Sequence, residues 1–351
     1  MTIRVAVLLL LLAALAACAP RVIPADPPKT RPSLDSNALR MADGAILPLR
    51  VWRPASRPTA VILALHGFND YSYGFDGPGG FWAKRGIITY AYDQRGFGDA
   101  PYRGHWPGVD TLIHDFGAAS RLIRERHPDI PLIVLGESMG GAVIMTAMAG
   151  ATPPHVDGAV LSAPAVWSRE VMPLWQRIGL TVLAHTVPGM KVSGRGLGRV
   201  PSDNIAMLRK MFRDPKVIKR TRIDTIYGLV NLMDAALAAA PKLQGEILML
   251  YGNREDIIPN GARRALEARL PRNGCNLRLV EYKSGHHMLL RDLKAERVLT
   301  DVAAWIGNRR GPLPSGAERM LAAAPAKLEE GDGVGTKLAL NCGAPARTAR
   351  P

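Results

Sequence analysis

"PLIVLGESMGGAVIMTAMAG", residues 131–150, decides the fold. Its first five residues are an apolar run of strand length, glycine turns the chain at 136, and 141–149 continue as a small-residue helix. Ser138 stands at the turn, with Gly136 two residues before it and Gly140 two after. G-x-S-x-G between a strand and a helix is the setting of a nucleophile elbow. There a strained turn holds the serine hydroxyl at the end of a sheet, over the positive end of a helix dipole. The glycines have a steric reason, because side chains two residues either way would meet the neighbouring strand or helix. Such turns are common in α/β proteins, so Ser138 is either a nucleophile or a residue in a tight corner, and its partners must decide.

Outward from this stretch, strand-like and helix-like runs alternate. Residues 46–52 alternate as an edge strand would, and 60–65 (AVILAL), 87–92 (IITYAY) and 157–162 (DGAVLS) are near-continuous apolar strands. Helical stretches at 73–85 and 112–126 lie between them. Strands apolar on both faces and separated by helices predict a mostly parallel central sheet covered by helices on both sides. From 166 to 241 helix signals dominate. Strands then resume at 246–251 (EILMLY) and 276–282 (NLRLVEY), and 292–306 makes a last helix. The fold class is therefore α/β with a helical insertion.

A serine hydroxyl becomes a useful nucleophile when a histidine takes its proton and an acid orients that histidine. In an elbow fold the order is serine, acid, histidine, on loops after late strands. Strand 246–251 runs into Gly252-Asn253-Arg254-Glu255-Asp256-Ile257-Ile258-Pro259, and strand 276–282 into Lys283-Ser284-Gly285-His286-His287-Met288. Both loops lie at the carboxyl ends of their strands, the end at which Ser138 projects. Three loops in the right order favour a serine hydrolase.

The chain resembles the α/β-hydrolase superfamily. Within it, the likeness is to the monoacylglycerol lipase and lysophospholipase family with a helical cap, sometimes grouped with serine aminopeptidases. The residues that carry it are LALHGFNDYS (63–72), YAYDQRGFGDA (90–100), LGESMGGAV (135–143), YGNREDIIP (251–259) and GHHMLLRDL (285–293). The resemblance implies Ser138 as nucleophile. It places the acid three residues after Gly252 and four before Pro259, at Glu255, where the family usually has aspartate; the adjacent Asp256 is the alternative after a one-residue slip. It implies His287 as base, because the family's histidine precedes an apolar pair, with His286 beside it in the loop. The oxyanion hole would use the backbone N–H groups of Met139 and Phe68. Asp93, Arg95, Gly96 and Gly98 also match and are read as scaffold.

In the insertion, Val171, Leu174, Trp175, Ile178 and Val182 recur at helical spacing and line either an acyl pocket or the cap's own core. Residues 209–222 (RKMFRDPKVIKRTR) hold seven basic residues opposed by Asp214 alone, which suits a solvated face or contact with an anionic bilayer. At the amino terminus, Arg4 and the apolar run that follows read as a secretory leader. Leu15-Ala16-Ala17-Cys18 resembles a lipobox, with Cys18 the lipidated first residue of the mature chain. The expected organisation is a leader at 1–17, a Pro-rich tether at 18–43, the core at 44–165 and 242–307, the cap at 166–241, and a disordered Ala/Gly/Pro-rich tail at 308–351.

The formal net charge is +15 over 351 residues, of which the leader holds only Arg4. That excess favours anionic lipid surfaces. Zinc-finger spacing and aromatic-basic RNA motifs are missing, so nucleic acid is not an expected partner. The eight histidines show no H-E-x-x-H spacing, and neither a catalytic metal nor a cofactor is expected. Cys275 and Cys342 sit in unrelated contexts, which argues against their pairing. The expected activity is cofactor-free hydrolysis of a single-chain lipid ester, a monoacylglycerol or lysophospholipid, through an acyl-enzyme on Ser138, by a lipid-anchored protein of the bacterial cell envelope, facing the periplasm or in the outer membrane. A short-chain carboxylesterase, an aminopeptidase-type peptidase and a catalytically silent binding lipoprotein are the alternatives, since a triad is indifferent to the leaving group.

Overall fold

A computed structural model describes residues 19–196, 198–271 and 277–319. Its strands, in chain order, are β1 Ser33–Leu34, β2 Ala38–Arg40, β3 Ile46–Trp52, β4 Ala60–Leu65, β5 Ile87–Tyr92, β6 Leu132–Glu137, β7 Gly158–Ser162, β8 Lys191–Val192, β9 Thr221–Arg222, β10 Ile247–Gly252, β11 Leu277–Tyr282 and β12 Glu318–Arg319. All but β8 and β9 join one sheet in the order β1-β2-β3-β5-β4-β6-β7-β10-β11-β12. From β5 through β11 the neighbours are parallel, and the pairs at the two ends of the sheet are antiparallel.

The parallel strands read as continuous apolar runs because they are buried on both sides. Alternate residues of β4 supply two different cores: Val61, Leu63 and Leu65 one, Ile62 and Ala64 the other. The first core lies under the helices Val109–Arg126 and Met139–Met148. The second lies under Asp76–Ala83 and Ala295–Gly307, where Trp82 and Trp305 are fully buried. This is the α/β sandwich expected from the strand–helix alternation.

Four boundaries differ from the sequence expectation. Strand β3 is not an edge: β2 pairs with it through Leu39↔Leu47, and Leu39 is fully buried. The described part of the 18–43 tether is therefore bound to the core rather than free. Ile23 N–H donates to Trp106 O at 2.9 Å, and Asp43 receives two hydrogen bonds from Arg95. Residues 308–319, expected in the tail, belong to the fold. Leu313 is buried, and β12 pairs with β11 while Arg278 clasps the Glu318 carboxylate at 2.6 Å on both oxygens. Cys18, Cys275, Cys342 and 320–351 lie outside the described residues.

The fourth concerns the insertion. Its last helix, Ile223–Ala239, together with the short turn that extends it to Lys242, is long and apolar enough to cross a membrane. It packs instead on Met139–Met148, burying Val230, Leu232, Met233, Ala236 and Leu237 in the first core. It belongs to the core layer, so the cap proper holds the helices Leu174–Thr186 and Ile205–Arg213. Of the residues read as lining either an acyl pocket or the cap's own core, Leu174, Trp175, Ile178 and Val182 are exposed, Trp175 at 72%, and Val171 is half-buried against the first core. Helical periodicity identifies an apolar face but not which way the helix turns it.

Candidate active site

Ser138 adopts φ +53° and ψ −112°, a left-handed backbone that an L-residue occupies only when its surroundings enforce it. Three main-chain hydrogen bonds do so. Ser138 N–H donates to Ser162 O at 2.9 Å, and Ser138 O accepts from Ala165 N–H at 2.9 Å and Ala142 N–H at 3.1 Å. The flanking glycines are steric necessities: a Cβ at Gly140 would overlap the Leu65 carbonyl, and one at Gly136 would overlap the backbone of Gly140 and Gly141. The strain is thus held by strand, helix and adjacent loop together.

Met139 opens the helix directly after Ser138, so its N–H is one of the helix's first, without an intrahelical acceptor. The loop carrying Phe68 lies against the serine, since a Cβ on Gly67 would sit 3.5 Å from Ser138 Cβ. His66 fixes that loop. Its Nδ1–H donates to Gly67 O at 2.9 Å, while Nε2 accepts from Gln94 N–H at 3.0 Å. Burial pushes its pKa down, keeping the ring neutral and able to accept at Nε2. Asp93 supports the next turn, accepting from Ser72 N–H and Asp99 N–H. Arg95 is clamped between Asp43 and Asp115, so both residues are scaffold, as expected.

Glu255 and His287 meet across two loops. Glu255 Oε2 lies 2.7 Å from His287 Nδ1, with both side chains buried. Its other oxygen, Oε1, accepts from Ile257 N–H at 2.7 Å and Ile258 N–H at 2.9 Å. Burial alone would raise the Glu255 pKa, but the His287 ring and these N–H donors outweigh it and hold the carboxylate below its ordinary value. Burial would likewise depress His287, yet the Glu255 charge and hydrogen bond turn the net shift upward. Asp256 points elsewhere, accepting from Arg199 Nη1 at 2.6 Å and Val200 N–H at 3.0 Å in the cap. The two loops are knitted together by Arg254 N–H to Gly285 O at 2.9 Å and Ser284 N–H to Asn253 Oδ1 at 2.8 Å. Among the described residues no hydrogen bond closes from the Ser138 hydroxyl to His287, a contact that often tightens only with substrate bound.

One feature of the site was not anticipated. Arg291, four residues after His287, places Nη2 2.8 Å from Glu137 Oε1 and 2.7 Å from Asp70 Oδ2, with all three side chains largely buried. This cluster ties the loop after β4, the elbow and the His287 loop together. The RDL and GES segments hint at charge, but an ion pair 154 positions apart has no local sequence signal. A cavity of about 390 Å³ opens beside Arg291, walled by Tyr73, Phe81, Met207, Met211 and Leu290; neither Ser138 nor His287 lines it.

The arrangement can take a proton from a hydroxyl, hold an imidazolium against a buried carboxylate, and present N–H groups to an oxyanion. Proteins similar to this chain include lipases. The monoacylglycerol lipase of Mycolicibacterium smegmatis is 26% identical over 269 residues, covering 73% of this chain and 91% of that protein. Rat monoglyceride lipase is 24% identical over 296 residues, covering 80% and 93%. Among solved structures, monoacylglycerol lipase from Paleococcus ferrophilus superposes with a TM-score of 0.60 at 22% identity, over 74% of this chain and 98% of that one. A soluble variant of Saccharomyces cerevisiae monoglyceride lipase, in complex with a substrate analogue, gives 0.65 at 17% identity, over 83% and 98%. The pattern of one family, serine aminopeptidase, S33, runs through residues 56–294, which take in the elbow, both late loops and the cap, and the chain belongs to this family of α/β-hydrolases.

Proposed function

We propose that the protein hydrolyses single-chain lipid esters, monoacylglycerols or lysophospholipids, through an acyl-enzyme on Ser138. The observation that carries this reading is the Glu255–His287 hydrogen bond beside the strained serine turn. Ser138 Oγ attacks the ester carbonyl while His287 accepts its proton, and the oxyanion forms against the N–H groups of Met139 and Phe68. His287, its imidazolium stabilised by Glu255, then protonates the departing alcohol. Water activated by the same histidine releases the acyl group and restores Ser138. Lipases among the relatives support an acyl ester over a peptide. A panel of p-nitrophenyl esters, monoacylglycerols, lysophospholipids and aminoacyl anilides tests the choice. Turnover confined to anilides would overturn the lipid reading, and fluorophosphonate labelling that persisted in Ser138→Ala would overturn the nucleophile.

Membrane attachment is part of the same proposal. Lipidation at Cys18 would tether the chain in the bacterial envelope, periplasm-facing or in the outer membrane, and the exposed apolar stripe of Leu174, Trp175, Ile178 and Val182 would enter the lipid interface. The basic run 209–222 adds attraction to anionic headgroups. A Cys18→Ser chain should leave the membrane fraction. Wild-type protein recovered soluble with an unmodified amino terminus would refute the anchor.

A further inference from the structure

On another side of the His287 loop, three side chains face one another across an empty space. Asp203 of the cap and His286 and Asp292 of the loop each present a ligand-type atom, and these atoms all lie within 4.8 Å of one another. The His286 side chain is only 8% exposed, yet its Nδ1 has no hydrogen-bond partner among the described residues. Asp292 Oδ2 is 3.6 Å away, beyond hydrogen-bond length. Polar groups this deep are ordinarily satisfied, so an orphaned ring nitrogen facing two carboxylates calls for an occupant.

The surroundings are those of a built site. Ser202 Oγ–H donates to Asp292 Oδ1 at 2.6 Å, His286 N–H to Asp292 Oδ2 at 2.7 Å, and Leu293 N–H to Asp203 Oδ1 at 2.8 Å. Both carboxylates are therefore oriented by neighbours while lone pairs remain free, as outer-shell partners orient metal ligands. A small cavity of about 20 Å³ adjoins the cluster, lined by Asp203 and Asp292 but not by His286. Lys283, Lys294 and Arg297 stand at its rim, but all three are solvent-exposed, and none is ion-paired with either carboxylate among the described residues.

We propose that Asp203, His286 and Asp292 form a divalent-cation site of the zinc class that staples the cap to the loop bearing His287. One imidazole and two carboxylates suit Zn²⁺, whereas Ca²⁺ and Mg²⁺ take oxygen ligands. Zinc–ligand bonds of about 2.0–2.2 Å require the three side chains to draw together on binding, with water completing the shell. The ion is structural. It includes none of Ser138, Glu255 and His287, and it reinforces a joint already made by Met288 N–H to Pro201 O at 2.9 Å and Asn204 Nδ2–H to Arg291 O at 3.0 Å.

The test uses the full chain in detergent, without a histidine tag, stripped by chelator and titrated calorimetrically with ZnCl₂, CaCl₂ and MgCl₂. The expected result is one equivalent of zinc, a raised thermal midpoint, and no response to calcium or magnesium. Asp203→Asn should weaken zinc binding about tenfold or more while keeping the metal-free thermal midpoint, and His286→Gln should do the same at a second ligand. Absence of stoichiometric zinc uptake overturns the proposal. So does undiminished binding in both variants, or a thiolate charge-transfer band in cobalt-loaded protein, which would place the ion on a cysteine.

Discussion

Glu255 and Asp256 are adjacent in the chain and serve different partners. Glu255 accepts from the His287 ring at 2.7 Å inside the molecule, and Asp256 pairs with Arg199 of the cap at its surface. Glu255→Gln keeps an acceptor for the Ile257 and Ile258 N–H groups but removes the charge that stabilises an imidazolium. The expected loss in kcat is large, on the order of the 10⁴-fold measured for the analogous carboxylate-to-amide change in a serine-protease triad. Asp256→Asn touches a pair at the surface, where solvent screens the attraction, and should leave kcat nearly unchanged. Steady-state constants for both variants on one soluble ester decide it, and a severe loss in Asp256→Asn beside a near-normal Glu255→Gln would reverse the assignment.

The same pair sets the pH profile. Burial disfavours the His287 imidazolium, but the Glu255 charge and hydrogen bond prevail, so the ring titrates above the ordinary histidine value. Catalysis needs the neutral ring, so kcat/KM should fall as pH drops through that raised pKa, and the acid limb should lie above about 6.5. In Glu255→Gln burial remains and its opponent is gone, so the limb of the residual activity should move to lower pH. An acid limb unchanged in the variant would mean that another group controls it.

How far the chain could be read by eye follows from which forces are local. β4 and β5 begin and end where their apolar runs do, because burial on both faces leaves Thr89 as the one interruption of an otherwise apolar or aromatic pair of strands. Ser138, Glu255 and His287 were legible because each follows a strand of the parallel sheet, whose carboxyl ends converge. β1 and β2, of two and three residues, were not legible; pairing with β3 and the burial of Leu39 sustain them, not any period of their own. The Arg291–Glu137–Asp70 cluster was hidden for the same reason, being assembled wholly by tertiary contact.

Gly140→Ala should be among the most damaging single-methyl changes in the chain. The new Cβ would overlap the Leu65 carbonyl, a backbone group of the central strand that cannot swing aside as a side chain would. A destabilisation of about 3 kcal/mol or more is expected, at the upper end of overpacking costs, together with loss of activity as the elbow shifts. Gly117 is the control, since a Cβ there meets nothing within 4 Å, and it lies within the helix Val109–Arg126. Gly117→Ala should stabilise by about 0.5–1 kcal/mol through helix propensity. Chemical denaturation of the two variants measures both, and equal midpoints would contradict the steric account.

Trp175 offers the clearest test of how the cap meets lipid. It is 72% exposed and shares a helical face with Leu174, Ile178 and Val182, so the folded chain leaves in water a stripe that costs nothing to truncate. Trp175→Ser and Ile178→Ser should each change stability by no more than about 0.5 kcal/mol. If the stripe enters the interface, burial of a large apolar side chain contributes about 1.5–3 kcal/mol, so Trp175→Ser should weaken partitioning roughly tenfold or more. The measurement is co-sedimentation of Cys18→Ser protein, chosen to remove the proposed lipid anchor, with phosphatidylethanolamine–phosphatidylglycerol vesicles. Added salt should weaken binding through the basic run 209–222 and leave the difference between Trp175 and its serine variant in place, since screening acts on charge and not on apolar burial. Equal sedimentation of parent and Trp175→Ser at every salt concentration would show that the stripe faces something other than a bilayer.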